Sequence, residues 1–95
     1  MSSVILINPF EVPAGQEKQT LEQWERVAEY MRRQPGYIST RLHRAITPEP
    51  KFLFVNVAEW DSEKAFFRAT GTAEFQELTR DAVPHYPALY EVIRR

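Results

Sequence analysis

The chain has no cysteine, only three glycines and only two histidines among its 95 residues, and no apolar run approaches membrane-spanning length. Without cysteine there is no disulfide framework, thiolate metal site or thiol nucleophile. Gly15, Gly36 and Gly71 lie too far apart to form a phosphate- or dinucleotide-binding loop. With His43 and His85 as the only imidazoles, a zinc or non-haem iron site would need a carboxylate cluster, and none is visible. Ser2, Ser3, Ser39 and Ser62 sit in no nucleophile-elbow context. An excess of either charge is also missing: twelve basic residues face thirteen acidic ones, for a net charge of -1. A nucleic-acid binder concentrates basic residues on one face, so that class is excluded, and Arg94 and Arg95 read as a solvated end. The apolar start from Met1 to Ile7 is too short for a signal-peptide core and lacks a basic leader, so a cytoplasmic protein without membrane contact is expected.

What is present is 43% hydrophobic residues, enough for one domain spanning 1–95. A chain this short buries only roughly 60–65% of its unfolded surface, so association with a second copy is the expected extra source of stability.

Val4 to Val12 is rich in β-branched and aromatic residues and stops at Pro13-Ala14-Gly15, predicting a first strand and a turn. Leu21, Trp24, Val27, Ala28 and Met31 then recur at spacings of three and four, predicting an amphipathic helix over 17–34. Pro35-Gly36 ends it. Strands are predicted over 37–46 and 52–60, paired antiparallel across the stiff turn Thr47-Pro48-Glu49-Pro50. Ser62 caps a helix through Thr70, Thr72 caps another through about Asp81, and a last strand covers 88–94.

The order is βαββαβ, an α+β ferredoxin-like arrangement in which helices cover one face of a four-stranded antiparallel sheet. In the third strand Leu53, Val55 and Val57 point one way and Phe52, Phe54, Asn56, Ala58 and Trp60 the other. Both faces are apolar, yet helices can cover only one. The second face is therefore expected to pack on a partner copy, closing a dimeric α+β barrel as a homodimer.

Asn56 is the anomaly, an amide within an otherwise apolar strand, and burying it without partners would cost about 1–3 kcal/mol. Trp60 shares its face, and Asn8 holds a comparable place in the first strand beside Val4, Leu6 and Phe10. If that face lies under the helices, two amides and an indole N–H converge in an apolar chamber suited to an oxygen-bearing aromatic ligand. The plainer alternative is that both asparagines satisfy backbone groups and Trp60 is core.

The run Asn56-Val57-Ala58-Glu59-Trp60, with Arg41-Leu42-His43-Arg44 before it and Asp61-Ser62 after it, resembles the antibiotic-biosynthesis monooxygenases. Asn8-Pro9-Phe10-Glu11-Val12-Pro13, Gln34-Pro35-Gly36-Tyr37 and Pro87-Ala88-Leu89-Tyr90-Glu91-Val92 extend the resemblance over nearly the whole chain. It implies oxidation of polycyclic phenols or anthrones to quinones, with O2 as co-substrate and no cofactor, neither metal, flavin nor haem. It also implies catalytic roles for Asn56 and Trp60, and for Asn8 as in some members. A tyrosine and an arginine used in one subgroup map to Phe66 and Arg80, so the arginine is matched and the tyrosine hydroxyl is absent.

Such chemistry suits these residue types. Triplet oxygen reacts slowly with closed-shell molecules, so without a cofactor the substrate itself must become an electron-rich anion. Amide and indole N–H groups would favour that anion in a water-poor site, while Phe52, Phe54, Phe66 and Trp24 would bind a small aromatic substrate by stacking against its rings. His43 and His85 are the candidate bases, because only histidine ordinarily titrates near neutral pH; the plainer alternatives are that His43, alternating with Arg41, is a partly exposed or interface residue and that His85 is a loop residue at the mouth of the chamber. Arg80 is placed either against an anionic substrate or in a helix-surface ion pair. Three other functions fit the same scaffold: a haem-binding or haem-degrading protein, a non-oxidative isomerase or cyclase, and a non-enzymatic binding protein. Pro84 and Pro87 disfavour a helix around His85, which weakens the haem reading.

Overall fold

A computed structural model describes residues 3–95; Met1 and Ser2, which open the run read above as too short for a leader, lie outside the described residues. The chain runs β1 (Val4–Phe10), α1 (Glu17–Arg32), β2 (Tyr37–Arg44), β3 (Phe54–Trp60), α2 (Glu63–Thr70), α3 (Ala73–Leu78) and β4 (Ala88–Tyr90). The strands form one antiparallel sheet in the order β2-β3-β1-β4. This is the ferredoxin-like α+β arrangement: β1 and β2 run parallel with β3 inserted between them, so the α1 connection must cross the sheet.

The elements form where the sequence predicts them, and several are shorter. β3 begins at Phe54 rather than Phe52, because the turn continues to Leu53, whose carbonyl accepts from the Ala45 amide at 2.8 Å. Pro48 and Pro50 have no N–H to offer a ladder in that segment. β4 ends at Tyr90 rather than near Arg94: its ladder with β1 runs from Ala88 opposite Ile7 to Tyr90 opposite Ile5, and among the described residues it goes no further. Ser62 and Thr72 cap α2 and α3 as their sequence context suggests, accepting from the Ala65 and Phe75 amides at 3.1 and 3.0 Å.

At Gly36 the backbone has φ +90, and its carbonyl accepts from the Asp61 amide at 2.8 Å. A Cβ there would collide with that of Ala65 and come within 2.8 Å of Asp61 Oδ1. Glycine is thus required both for the turn and for the close approach of the α1–β2 connection to the start of α2.

Alternation along β3 is strict. Phe54, Asn56, Ala58 and Trp60 are buried beneath the helices, and Val55, Val57 and Glu59 are half-buried on the opposite face. Leu6, Ala58, Trp60, Ala65, Phe66 and Ala69 form the central cluster. Trp60 meets Tyr37 and Phe66 edge-on, each with centroids 5.7 Å apart, a geometry worth about 0.5–1.5 kcal/mol per pair beyond area burial. Tyr30 ties α1 to the α2–α3 junction: its hydroxyl donates to the Ala69 carbonyl at 2.7 Å and accepts from Thr72 Oγ1 at 2.6 Å. Among the described residues no helix is long and apolar enough to cross a membrane.

Candidate active site

Between the helices and the covered sheet face lies a chamber of about 120 Å³ that opens to solvent. An engineered cavity of about 150 Å³ holds benzene, so the chamber is on the scale of one aromatic ring. Asn8, Trp24, Asn56, Trp60, Phe66 and His85 all line it. Six residues singled out from sequence therefore meet in one place, although they come from β1, α1, β3, α2 and the approach to β4.

The covered sheet face explains the convergence. Asn8 and Asn56 are directly opposed across the β1–β3 pair, which brings their Cβ atoms to about 4.5–5.5 Å. Trp60 lies four residues beyond Asn56, about 13 Å along the strand, and the small Ala58 between them leaves the space open.

The two amides are in different states. Asn56 Oδ1 accepts from the Thr40 hydroxyl at 2.8 Å, which turns the donating NH2 end away from Thr40. Asn8 Oδ1 is the single buried side-chain oxygen or nitrogen without a hydrogen-bond partner among the described residues. A buried amide oxygen left unpaired costs about 1–3 kcal/mol, so on the chamber wall Asn8 Oδ1 is an acceptor available to a bound donor.

Thr40 was not legible from the alternation of β2. Read strictly, Tyr37 shares a face with Ser39, Arg41 and His43. A register shift between Tyr37 and Ser39 breaks that phase, so that Tyr37 and Thr40 both line the chamber while Ile38 is left half exposed. Tyr37 thus brings a phenol hydroxyl to a chamber in which Phe66 has none.

His85 is held by its neighbours on every side. The Glu11 amide donates to the Pro84 carbonyl at 2.9 Å and the Tyr86 amide to the Pro9 carbonyl at 3.1 Å, with Phe10 and His85 bridged between them. The imidazole stacks on Phe10 with centroids 5.8 Å apart. The Tyr86 hydroxyl donates to Glu11 Oε1 at 2.5 Å, and that bond to a carboxylate raises the phenol above its usual range.

Four predicted site residues are not on the chamber. His43 is exposed on the opposite sheet face, where Ile5, Ser39, Arg41, Val57 and Glu59 surround it, because the strand phase after the register shift turns it away from the helices. Arg80 lies past the end of α3 and pairs with Glu77 at 2.5 Å on the surface, the ion-pair alternative of the sequence reading. Phe52 falls outside β3 and packs edge-on against Tyr86 at 5.8 Å. Phe54 shares the face of Asn56 but is sealed at 1% exposure, with Arg44 over its ring, and serves as core at the end of the strand. Among the described residues no group of three or more histidine, cysteine, aspartate or glutamate side chains could hold a metal ion.

Known structures share this fold. A candidate monooxygenase from Shewanella loihica PV-4 is 39% identical, with a TM-score of 0.89 over 99% of this chain and 97% of its own. SnoaB, a cofactor-independent oxygenase from Streptomyces nogalater, is 24% identical with a TM-score of 0.85 over 100% of this chain and 97% of its own. A candidate antibiotic biosynthesis monooxygenase from Bordetella bronchiseptica is 19% identical, with a TM-score of 0.81 over 99% and 100% of the two chains. No curated protein sequence matches the chain significantly. The family model for antibiotic biosynthesis monooxygenases matches residues 3–81, a span that includes β1, β2 and β3 with Asn8, Thr40, Asn56 and Trp60, and the chain belongs to that family.

Proposed function

We propose that the protein is a cofactor-independent monooxygenase that oxidises a phenolic, anthrone- or naphthol-type polycycle to a quinone with O2. The observation that carries this reading is the Thr40–Asn56–Asn8 arrangement: two amides side by side, one oriented by a hydroxyl, in an apolar chamber on the scale of an aromatic ring and open to solvent. The description of SnoaB as cofactor-independent supports the same reading.

The substrate is its own reductant. Loss of a proton gives an enolate or phenolate, which passes one electron to O2 and then combines with the superoxide to form a hydroperoxide. Loss of water leaves a new carbonyl, so one oxygen atom enters the product and the other leaves as water. For this sequence the protein needs to favour the anion and exclude bulk water. The Asn56 NH2 group, with its acceptor end occupied by Thr40, is a donor held for an oxyanion. Trp60, with its indole N–H, borders the same chamber, and Trp24 and Phe66 supply ring surfaces.

A homodimer belongs to the same proposal. Ile5, Ile7, Val55 and Val57 lie on the sheet face without helices, and Tyr90 beside Ile5 is 50% exposed. A second copy covering this face would leave the chamber on the helix side intact.

The test is oxygen consumption by metal-stripped protein with dithranol. Uptake by the wild type, lost in folded Asn56→Ala and Trp60→Phe variants, is expected; no wild-type uptake with any anthrone or hydroquinone would overturn the reading.

A further inference from the structure

We infer that His85 Nε2 is the base that removes the substrate proton, and that the Val83 carbonyl sets it up for that task. The inference rests on the proposed oxygenation and names the residue that starts it. His85 Nδ1 lies 2.7 Å from the Val83 carbonyl oxygen. A carbonyl only accepts, so Nδ1 carries the proton, and in the neutral ring Nε2 is left with a free lone pair. The hydrogen bond therefore selects one tautomer of a ring that lines the chamber.

The remaining lining excludes other bases. Among the described residues on the chamber wall there is no aspartate, glutamate, lysine or arginine, and His85 and Tyr37 are the titratable groups. A phenol ordinarily titrates near pH 10, too high to accept a proton at neutral pH, whereas an imidazole is suited to it. The groups around the His85 segment do not compete. Glu11, following β1, is engaged by the Tyr86 hydroxyl, and Asp81, on the approach from α3, is exposed to solvent.

The segment is also rigid enough to aim a base. Two backbone hydrogen bonds to the end of β1, the Phe10 stacking and the Tyr86–Glu11 bond hold three consecutive residues, 84–86. In the step itself Nε2 takes the proton of a phenolic O–H, or of the acidic CH2 that lies across the central ring from the anthrone carbonyl. The bonding electrons stay on the substrate as phenolate or enolate, and the imidazolium later returns the proton to the oxygen that leaves as water. The Val83 bond stays intact throughout, because Nδ1 is a donor in both protonation states.

The experiment is anaerobic mixing with dithranol, read by the absorbance of its anion, run beside oxygen uptake from pH 5 to 9. His85→Asn keeps a side-chain amide able to donate to Val83 while removing Nε2, and thermal melting checks that it folds. The wild type should form the bound anion without oxygen and lose uptake on the acid side as the imidazole takes up a proton. His85→Asn should lose about 10²–10⁴-fold in uptake, show no bound anion and have no acid limb. Added imidazole should restore part of the rate. An unchanged acid limb in His85→Asn, or uptake within twofold of the wild type, would overturn the base while leaving oxygenation standing. An anion formed by the wild type and lost in His85→Asn, with no oxygen uptake in either, would keep the base and overturn oxygenation. Absence of the anion in the wild type overturns the base.

Discussion

His85 and His43 offer a comparison within one molecule. Each brings Nδ1 to a backbone carbonyl, at 2.7 Å from Val83 and 3.2 Å from Val55. Sequence gives little to separate them. The difference lies in which side of the sheet each faces: His85 borders an apolar chamber without other strong acids or bases on its wall, and His43 sits in an open patch beside Arg41 and Glu59. The same contrast runs along β3, where Asn56 and Trp60 are buried beneath the helices and Val57 and Glu59 are half-buried opposite them. A strand one residue out of phase would exchange these roles, so the chemistry proposed for the covered face depends on register as much as on residue type.

The contrast is sharpened most by Asn56. If the covered face holds the oxyanion, Asn56→Ala should lower kcat with an anthrone by about 10²–10³-fold while the melting profile shows a folded protein, an effect on the scale of removing one oxyanion-hole donor. A loss under threefold would return Asn56 to a purely structural role.

Thr40 should show a smaller effect of the same kind. Removing its hydroxyl in Thr40→Val frees Asn56 Oδ1, and the amide then loses its orientation. A net hydrogen bond of about 0.5–1.5 kcal/mol corresponds to roughly two- to thirteenfold in kcat. KM should hold steady and the pH profile should keep its shape, which separates lost orientation from lost binding or a lost base.

On the other face the expected change is in assembly. Val57→Lys places a charge where the second copy is proposed to pack, and sedimentation should show the mass fall by half, with per-chain activity changed by about twofold. A monomeric wild type would break the proposed role of this face. The smallest effects belong to the residues that the structure moves away from the chamber. His43→Ala and Arg80→Ala should each leave kcat within about twofold, and the exposed Arg80–Glu77 pair should contribute no more than about 1 kcal/mol to stability. A large loss in His43→Ala would reverse the roles of the two histidines.

The sequence by itself determined the element order, both short-helix caps, the glycine exit at Gly36 and the strand phase that places Asn56, Ala58 and Trp60 on one face. These follow from local rules: side-chain period, capping chemistry and the backbone freedom of glycine. Only the tertiary structure decided the rest. The register shift in β2 brings Tyr37 and Thr40 to the chamber and leaves His43 outside, and strict alternation in sequence cannot show it. β4 pairs with β1 only over 88–90, and Arg80 and Phe52 lie elsewhere because α3 and β3 are shorter than their propensities suggest. The free lone pair of His85 comes from a carbonyl two residues away, held in place by hydrogen bonds to the end of β1. Periodicity specifies which way a side chain points relative to its neighbours along the strand. Which groups finally meet is set by pairing between segments far apart in the chain, and that pairing is a property of the folded molecule.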